Sequence, residues 1–181
     1  EAGVVRTQVA RAMRTATARA PGPVQFDMPQ SETRKEAGEL SFPPPLLPDV
    51  SFANPDRAGL KRLVARINGA RKPIILAGLG IYWDNASDEL VNLAEQLGAP
   101  VLTTSKVKGA IPEDHPLRAG CIIGGLIERK LVSEADLIIT VGLDGVELQP
   151  KPWPYQIPVV SLINTPALDA LVPSELELMG D

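Results

Sequence analysis

The sequence is poor in aromatic residues, which make up 4% of its 181 residues, so its hydrophobic core must be mainly aliphatic. It has a single cysteine, Cys121, which excludes an internal disulfide framework and a zinc site built from cysteines. We therefore expect a reducing compartment, the cytoplasm. The single histidine, His115, has acidic neighbours but no nucleophile or second metal ligand at a recognisable spacing, so we interpret it as a surface loop residue.

The chain also lacks a block of positive charge and a long apolar run. Its net charge is −4, which argues against nucleic-acid binding. No apolar run approaches the roughly 20 residues of a membrane span, and no signal peptide is recognisable. The length suits one domain with some additional chain. Because the sequence opens at Glu1 within a helical pattern and stops at Gly180-Asp181, we expect a fragment of a longer protein.

The first 52 residues do not form a domain pattern. Residues 3–19 have the apolar spacing of an amphipathic helix, which Pro21-Gly-Pro23 stops. Residues 24–28 are typical of one short strand, and one strand with one helix needs a sheet from elsewhere. Residues 29–52 are rich in proline and charge, which predicts an extended linker.

From Asn54 onwards, helical and strand patterns alternate. The predicted helices cover residues 54–69, 85–98 and 123–132. The predicted strands cover residues 73–77, 101–104, 136–141 and 158–163, with a long loop over 105–120. These strands are continuously apolar, which is typical of a parallel sheet covered on both faces. The fold class is therefore α/β, with a Rossmann-like sheet.

Details of the predicted helices follow from capping and periodicity. Asn54 is the expected N-cap of the first helix in this region, and Asn85 or Ser87 that of the second. Gly69 and Gly98 end these two helices. The third helix is expected to turn three apolar residues inward, namely Leu126, Ile127 and Leu131.

The strand at 73–77 runs into a Gly78-Leu79-Gly80 turn, an arrangement that commonly holds a nucleotide in α/β proteins. Two features argue against a standard NAD site: Trp83 replaces the third glycine, and the following helix begins several residues late. Thr103, Thr104 and Ser105 also stand where an acidic residue would bind the ribose. A tight turn without a ligand is the alternative.

Ligands of open parallel sheets bind outside the carboxyl ends of the strands. The candidate nucleotide-binding residues are therefore the strand-end residues, namely Gly78, Leu79, Gly80, Thr103, Thr104, Ser105, Gly120, Gly142, Leu143 and Asp144. Lys106 and Lys108 could meet phosphates or be solvated. The segment Trp153-Pro154-Tyr155 could cover a ligand, but packing is the favoured interpretation. Neither these residues nor Cys121 form a recognisable catalytic set.

Six motifs in order carry a resemblance to a known family. They are Ala20-Pro-Gly-Pro-Val-Gln-Phe-Asp-Met-Pro29, Lys72-Pro-Ile-Ile-Leu-Ala-Gly-Leu-Gly80, Leu97-Gly-Ala-Pro-Val-Leu-Thr-Thr104, Lys108-Gly-Ala-Ile-Pro-Glu-Asp-His-Pro-Leu117, Ala135-Asp-Leu-Ile-Ile-Thr-Val-Gly142 and Gly180-Asp181. In this order the chain resembles thiamine-diphosphate-dependent enzymes of the acetolactate synthase and benzoylformate decarboxylase type.

The resemblance implies a placement within three-domain enzymes. Residues 1–29 would end the pyrimidine-binding domain, 30–52 would be the linker, and 53–181 would be a central domain with a sheet of about six strands. The parent would be a 2-oxo acid decarboxylase or carboligase, and a homodimer or homotetramer. Its thiamine diphosphate and Mg²⁺ sites would lie outside this chain, which would be inactive alone.

The resemblance also bears on a nucleotide in the central domain, because some members of such families bind FAD or ADP there. In flavin-binding members an arginine lies two residues after the glycine that matches Gly142, and here that residue is Asp144. A carboxylate would repel a diphosphate, so FAD is not expected. The alternative function is a stand-alone module that binds FAD, ADP or NAD without thiamine chemistry.

Overall fold

The computed structural model describes residues 2–18, 21–36, 55–148, 153–164 and 171–180. The chain divides into two compact units, Glu1–Ser51 and Phe52–Asp181.

The first unit contains two helices, α1 (Ala2–Ala16) and α2 (Gln30–Thr33). The amphipathic helix predicted at 3–19 is thus confirmed, with shifted ends. The strand predicted at 24–28 is wrong, because the described residues 21–29 have no helical or strand structure. Val24, Phe26 and Met28 are instead exposed. The physical reason is that a single strand has no partner for its backbone hydrogen bonds.

The predicted linker is seen only in part. Its first residues contain the four-residue helix α2, in place of the expected extended chain. Residues 37–54 lie outside the described part of the chain, together with Asn54, the predicted N-cap.

The second unit is built on a parallel sheet of six strands in the order β3-β2-β1-β4-β5-β6. The strands are β1 (Pro73–Ala77), β2 (Val101–Thr103), β3 (Arg118–Cys121), β4 (Leu137–Val141), β5 (Val159–Ile163) and β6 (Ser174–Met179). The helices are α3 (Arg57–Asn68), α4 (Gly80–Trp83), α5 (Ser87–Leu97) and α6 (Leu126–Ser133), with 3₁₀ turns at Ser105–Val107 and Gly145–Glu147. The predicted α/β Rossmann-like fold is confirmed.

The four strands predicted from continuous apolar runs are confirmed within about two residues. They are β1, β2, β4 and β5, and the first three form the centre of the sheet through β1–β2 and β1–β4 pairing. The loop predicted over 105–120 is wrong in part, because it contains a 3₁₀ turn and most of β3. β3 is a short edge strand, and its register with β2 shifts between Val101 and Leu102.

Two apolar clusters cover the faces of the sheet. On one face, Leu63 of α3 and Leu90 and Ala94 of α5 pack with inward residues of β1, β2 and β4. On the other face, Val132 of α6 packs with Ile74 and the other buried strand residues that point to this face. The partly buried Trp153 and Tyr155 pack against the same cluster. Helices therefore cover both faces of the sheet, and residues 153–157 cover part of the second face beside α6.

Helix ends differ in part from the predictions. Asp56 is the N-cap of α3, since its carboxylate accepts hydrogen bonds from the backbone N–H groups of Ala58 and Gly59. Neither Asn85 nor Ser87 is the N-cap of α5; that residue is Ala86, and it has no side-chain cap. In place of a capping side chain, the negative charges of Asp88 and Glu89 in the first turn stabilise the positive end of the α5 dipole. The predicted ends at Gly69 and Gly98 are confirmed.

The apolar face predicted for the third helix is wrong in two of its three residues. Leu126 and Ile127 are 84% and 90% exposed, whereas Leu131 packs on the core as expected. The reason is the position of the helix start, because α6 begins at Leu126 and turns Glu128 and Val132 inward.

The described ends of the second unit, Pro55 and Gly180, lie side by side. Gly180 follows the edge strand β6 and its N–H donates to the carbonyl of Ile163 at 3.0 Å. A Cβ built on Gly180 would lie 3.6 Å from Pro55, which precedes α3.

Candidate functional site

The strand order places a crevice between β1 and β4, where the chain crosses from one half of the sheet to the other. In doubly wound sheets this switch point, at the carboxyl ends of the strands, is where ligands bind. The Gly78-Leu79-Gly80 turn follows β1 and the Gly142-Leu143-Asp144 loop follows β4. The two segments therefore meet at the place that the sequence predicts.

Close backbone contact fills most of this crevice. The N–H of Gly78 donates to the carbonyl of Val141 and that of Gly80 to the carbonyl of Gly142, both at 2.9 Å. A Cβ on Gly78 would lie 2.4 Å from the Cα of Leu143 and 2.5 Å from the carbonyl oxygen of Gly142. The glycines thus let two loops of the chain touch each other.

The Glu147 side chain bridges the loops that border the crevice. Its Oε1 accepts hydrogen bonds from the backbone N–H of Leu79 at 2.8 Å and of Asp144 at 3.1 Å. Its Oε2 accepts one from the hydroxyl of Thr104 at 2.5 Å. One carboxylate therefore joins the loops after β1, β2 and β4.

Sequence reasoning missed Glu147, although a local signal was present. Asp144 and Glu147 form a capping box around the turn at Gly145–Glu147, and the Asp144 carboxylate accepts from the N–H of Val146 at 3.1 Å. The spacing Asp-x-x-Glu is the signature of that motif. It indicates the local cap, but not the contacts to Leu79 and Thr104, which are distant in sequence.

The remaining predicted residues lie in three different environments. Thr103 is buried in β2, and its hydroxyl lies 3.5 Å from the carbonyl of Gly120 and from the Sγ of Cys121. Gly120 lies within β3 with a φ of 112°. Ser105, in contrast, is exposed and lines a cleft, so it alone of these three could reach a ligand directly. Ligand binding by all ten residues stays a prediction.

Lys106 and Lys108 are both exposed, as expected for loop lysines. The carbonyl of Lys108 accepts a hydrogen bond from the hydroxyl of Tyr82 at 2.9 Å, which ties this loop to α4.

The cleft beside the crevice has a volume of about 140 Å³. It is lined by the ends of β2 and β3, the start of α6, and the loop segments around it: Ser105, Ile122, Ile123, Gly124, Glu128, Arg129, Glu147, Leu148, Trp153, Pro154, Tyr155 and Leu171. Its described lining residues include two glutamates and one arginine, so together they carry a net negative charge.

The side chain of Glu128 binds the backbone of the glycine-rich segment that precedes α6. Its carboxylate is buried and accepts hydrogen bonds from the backbone N–H groups of Ile123 at 2.7 Å and Gly124 at 2.5 Å. Successive N–H groups of this kind bind anions in many proteins. Here the chain supplies the anion itself, and sequence reasoning missed that role too.

Trp153 and Tyr155 form one wall of the cleft. Their rings meet edge to face with centroids 5.2 Å apart, and both pack on the second core cluster. Among the described residues, the indole Nε1 of Trp153 has no hydrogen-bond partner. Burial, and then the nearby charge of Glu128, raises the pKa of the Tyr155 phenol. The predicted packing role is thus consistent with the structure, and the pair also borders the cleft.

His115 lies away from this edge in the loop before β3. Its Nε2 is 3.3 Å from a carboxylate oxygen of Glu95, and its Nδ1 accepts a hydrogen bond from the N–H of Leu117. The side chain is only 12% exposed, so the expected surface residue is in fact half-buried and paired. Within the described ranges, no group of three or more His, Cys, Asp or Glu side chains could hold a metal ion.

Comparison with known proteins now identifies the class. Residues 60–181 match the family described as "Thiamine pyrophosphate enzyme, central domain". The chain belongs to this family, as the resemblance predicted.

Two relatives and one solved structure show the extent of the similarity. The chain is 36% identical over 137 residues to a probable acetolactate synthase large subunit of Methanocaldococcus jannaschii, covering 72% of this chain and 23% of that protein. It is 36% identical over 123 residues to a sulfoacetaldehyde acetyltransferase of Alcaligenes xylosoxydans xylosoxydans, covering 67% of this chain and 20% of that protein. The structure described as "a putative thiamin diphosphate-dependent enzyme isolated from Mycobacterium smegmatis" aligns with a TM-score of 0.76 and 30% identity, covering all of this chain and 36% of that one.

The chain thus spans about a quarter of the length of these curated relatives or less. The comparisons give no support to the alternative of a stand-alone FAD-, ADP- or NAD-binding module. In the part of the chain that the structure describes, we find no helix with the length and apolar character needed to cross a membrane.

Proposed function

We propose that this chain serves as the central domain of a thiamine-diphosphate-dependent enzyme that decarboxylates or joins 2-oxo acids, in the manner of acetolactate synthase. The observation that carries the proposal is the 36% identity to a protein named as an acetolactate synthase large subunit, within a matched central domain. The closed crevice between β1 and β4 fits a domain whose sheet has a structural role.

The proposed parent binds thiamine diphosphate and Mg²⁺ outside residues 1–181. One observation supports this placement: the aligned segment covers only 23% of the matched acetolactate synthase large subunit, so most of such an enzyme lies outside it. In the proposed division, residues 1–29 complete the pyrimidine-binding domain, 30–52 form the linker, and 53–181 form the central domain.

The same proposal includes a homodimer or homotetramer in the cytoplasm. Leu126 and Ile127 support the assembly, since two large apolar side chains at 84% and 90% exposure suit a surface that a partner covers. The single cysteine supports a reducing compartment.

Calorimetric titration tests the proposal. Thiamine diphosphate with Mg²⁺ is titrated into the intact parent enzyme and, separately, into the 181-residue chain, and CO₂ release from pyruvate and other 2-oxo acids is measured for both. We expect saturable binding and turnover by the parent and neither by the 181-residue chain. A parent enzyme that binds no thiamine diphosphate contradicts the proposed function. Binding by the 181-residue chain contradicts the placement of the cofactor sites.

A further inference from the structure

We infer that Glu147 takes the place of a ligand phosphate at the switch point of the sheet and so closes this central domain to nucleoside diphosphates and dinucleotides. This inference goes beyond the proposed function, which concerns thiamine diphosphate.

The first argument is that the hydrogen-bond donors of the crevice are already used. A phosphate at the carboxyl edge of such a sheet needs backbone N–H groups and hydroxyls that point at it. The N–H groups of Leu79 and Asp144 and the hydroxyl of Thr104 are such donors, and all three donate to the Glu147 carboxylate. A planar carboxylate with two acceptor oxygens has replaced the tetrahedral anion.

The second argument is steric. In nucleotide-binding α/β proteins, the turn after the first strand leaves room for a diphosphate. At Gly78 of this chain, Gly142, Leu143 and the Glu147 carboxylate lie in that space. A Cβ built on Gly78 would lie 2.7 Å from the Oε1 of Glu147 and closer still to the backbone of the β4 loop. The space next to Gly78 is therefore taken by protein atoms. A cavity of about 310 Å³ lies beside Gly80 and Gly142, but it is lined mainly by apolar side chains such as those of Leu60, Leu90 and Leu93, which offer a phosphate no hydrogen-bond donor.

The third argument is electrostatic. Among the described residues that line the cleft beside the crevice, Glu128 and Glu147 are acidic and Arg129 alone is basic. Glu128 is itself held by the two backbone N–H groups of Ile123 and Gly124, so the second place suited to an anion is also taken by a carboxylate. An approaching diphosphate would meet two fixed negative charges, because the four backbone N–H groups of these two places already donate to Glu147 and Glu128.

Binding measurements on the 181-residue chain test this inference. The ligands are ADP, FAD and inorganic phosphate, followed by calorimetry and by thermal unfolding with circular dichroism to verify the fold. Two variants separate charge from occupancy. Glu147→Gln keeps an acceptor oxygen without the charge, and Glu147→Ala frees all three donors. Glu134→Gln is the matched control, because Glu134 is an exposed glutamate outside the cleft.

We expect no saturable binding of ADP or FAD by the wild type and by Glu134→Gln up to about 1 mM. Glu147→Ala should bind ADP or inorganic phosphate at least about tenfold more tightly than the wild type, and Glu147→Gln should show a smaller increase in the same direction. If Glu147→Ala does not fold, the anion affinities of the wild type and of Glu147→Gln test the inference.

Two results overturn the inference: saturable binding of ADP or FAD by the wild type, or a folded Glu147→Gln or Glu147→Ala protein with no gain in anion affinity over Glu134→Gln. Because no thiamine diphosphate is used, either result leaves the proposed function unaffected.

Discussion

Replacing Gly78 with alanine should destabilise the second unit strongly, because the added methyl group has nowhere to go. Its Cβ would lie 2.4 Å from the Cα of Leu143, 2.5 Å from the carbonyl oxygen of Gly142 and 2.7 Å from the carboxylate of Glu147. Two of these three contacts are with backbone, so a change of rotamer cannot relieve them. The loop after β1 or the loop after β4 must shift.

The size of the effect follows from overpacking. Extra methyl groups in a well-packed interior cost about 1–3 kcal/mol, and contacts with backbone place this one near 3 kcal/mol or above. The hydrogen bond from Leu79 to Glu147 would weaken with the same movement. For a unit of roughly 130 residues, with an unfolding entropy of about 2.1 cal/mol/K per residue, 3 kcal/mol lowers the Tm by about 10 °C.

The assay is equilibrium unfolding in urea, followed by circular dichroism and by the fluorescence of the two tryptophans, Trp83 and Trp153, which both belong to the second unit. Gly69→Ala is the control, since its nearest neighbours are carbonyl oxygens at 3.4 and 3.5 Å and its φ is −80°. We expect the control to lie within about 1 kcal/mol of the wild type, on the stabilising side. If Gly78→Ala lies within about 0.5 kcal/mol of the wild type, close packing is not the reason for glycine at this position.

Two further predictions concern carboxylates. Glu128→Ala removes the acceptor of the backbone N–H groups of Ile123 and Gly124, so the free energy of unfolding should fall by about 1–3 kcal/mol. Glu134→Ala should change it by less than about 0.5 kcal/mol, and equal losses in the two variants would contradict the role of Glu128. The pKa of two carboxyls, those of Asp56 and Asp136, is lowered below the ordinary 3.8 because backbone N–H groups donate to them. The donors are Gly59 and Ala58 for Asp56, and Arg71 and Lys72 for Asp136. A lowered pKa stabilises the folded state fully well above pH 3.8 and loses this contribution as the pH falls through the folded-state value. The double variant Asp56→Asn, Asp136→Asn should therefore lose less stability than the wild type in urea titrations taken from pH 5 to pH 2, and parallel pH profiles would refute this.

The centre of the sheet could be predicted from sequence because burial on both faces demands continuous apolar residues. β1 and β4 are of this kind, with four of five residues buried in each. The edge strands could not be predicted in that way. β3 is four residues long, half-buried throughout, and contains Gly120 at positive φ. β6 alternates exposed residues with half-buried ones and has a single buried residue, Leu178. Such strands form because a neighbouring strand offers a hydrogen-bonding edge, which is not a local property.

The candidate site, like the sheet, could be predicted from sequence only in part. Glycines after parallel strands are a local signal, and Gly78, Gly80 and Gly142 do meet at the predicted edge. What fills the space between them depends on Glu147, whose contact with Leu79 joins residues 68 positions apart. Short-range patterns indicate where a crevice lies, but its occupant is set by tertiary packing.

The adjacency of Pro55 and Gly180 has a consequence for how such a domain is inherited. Polypeptide arriving before α3 and polypeptide continuing after β6 would pass through the same corner of the domain. A unit of this kind can be spliced into a host chain, exchanged or deleted by recombination while the flanking sequence stays in place, much as a surface loop can. We therefore expect that the second unit can be transferred between host chains as one piece, because its described ends leave the domain at one corner.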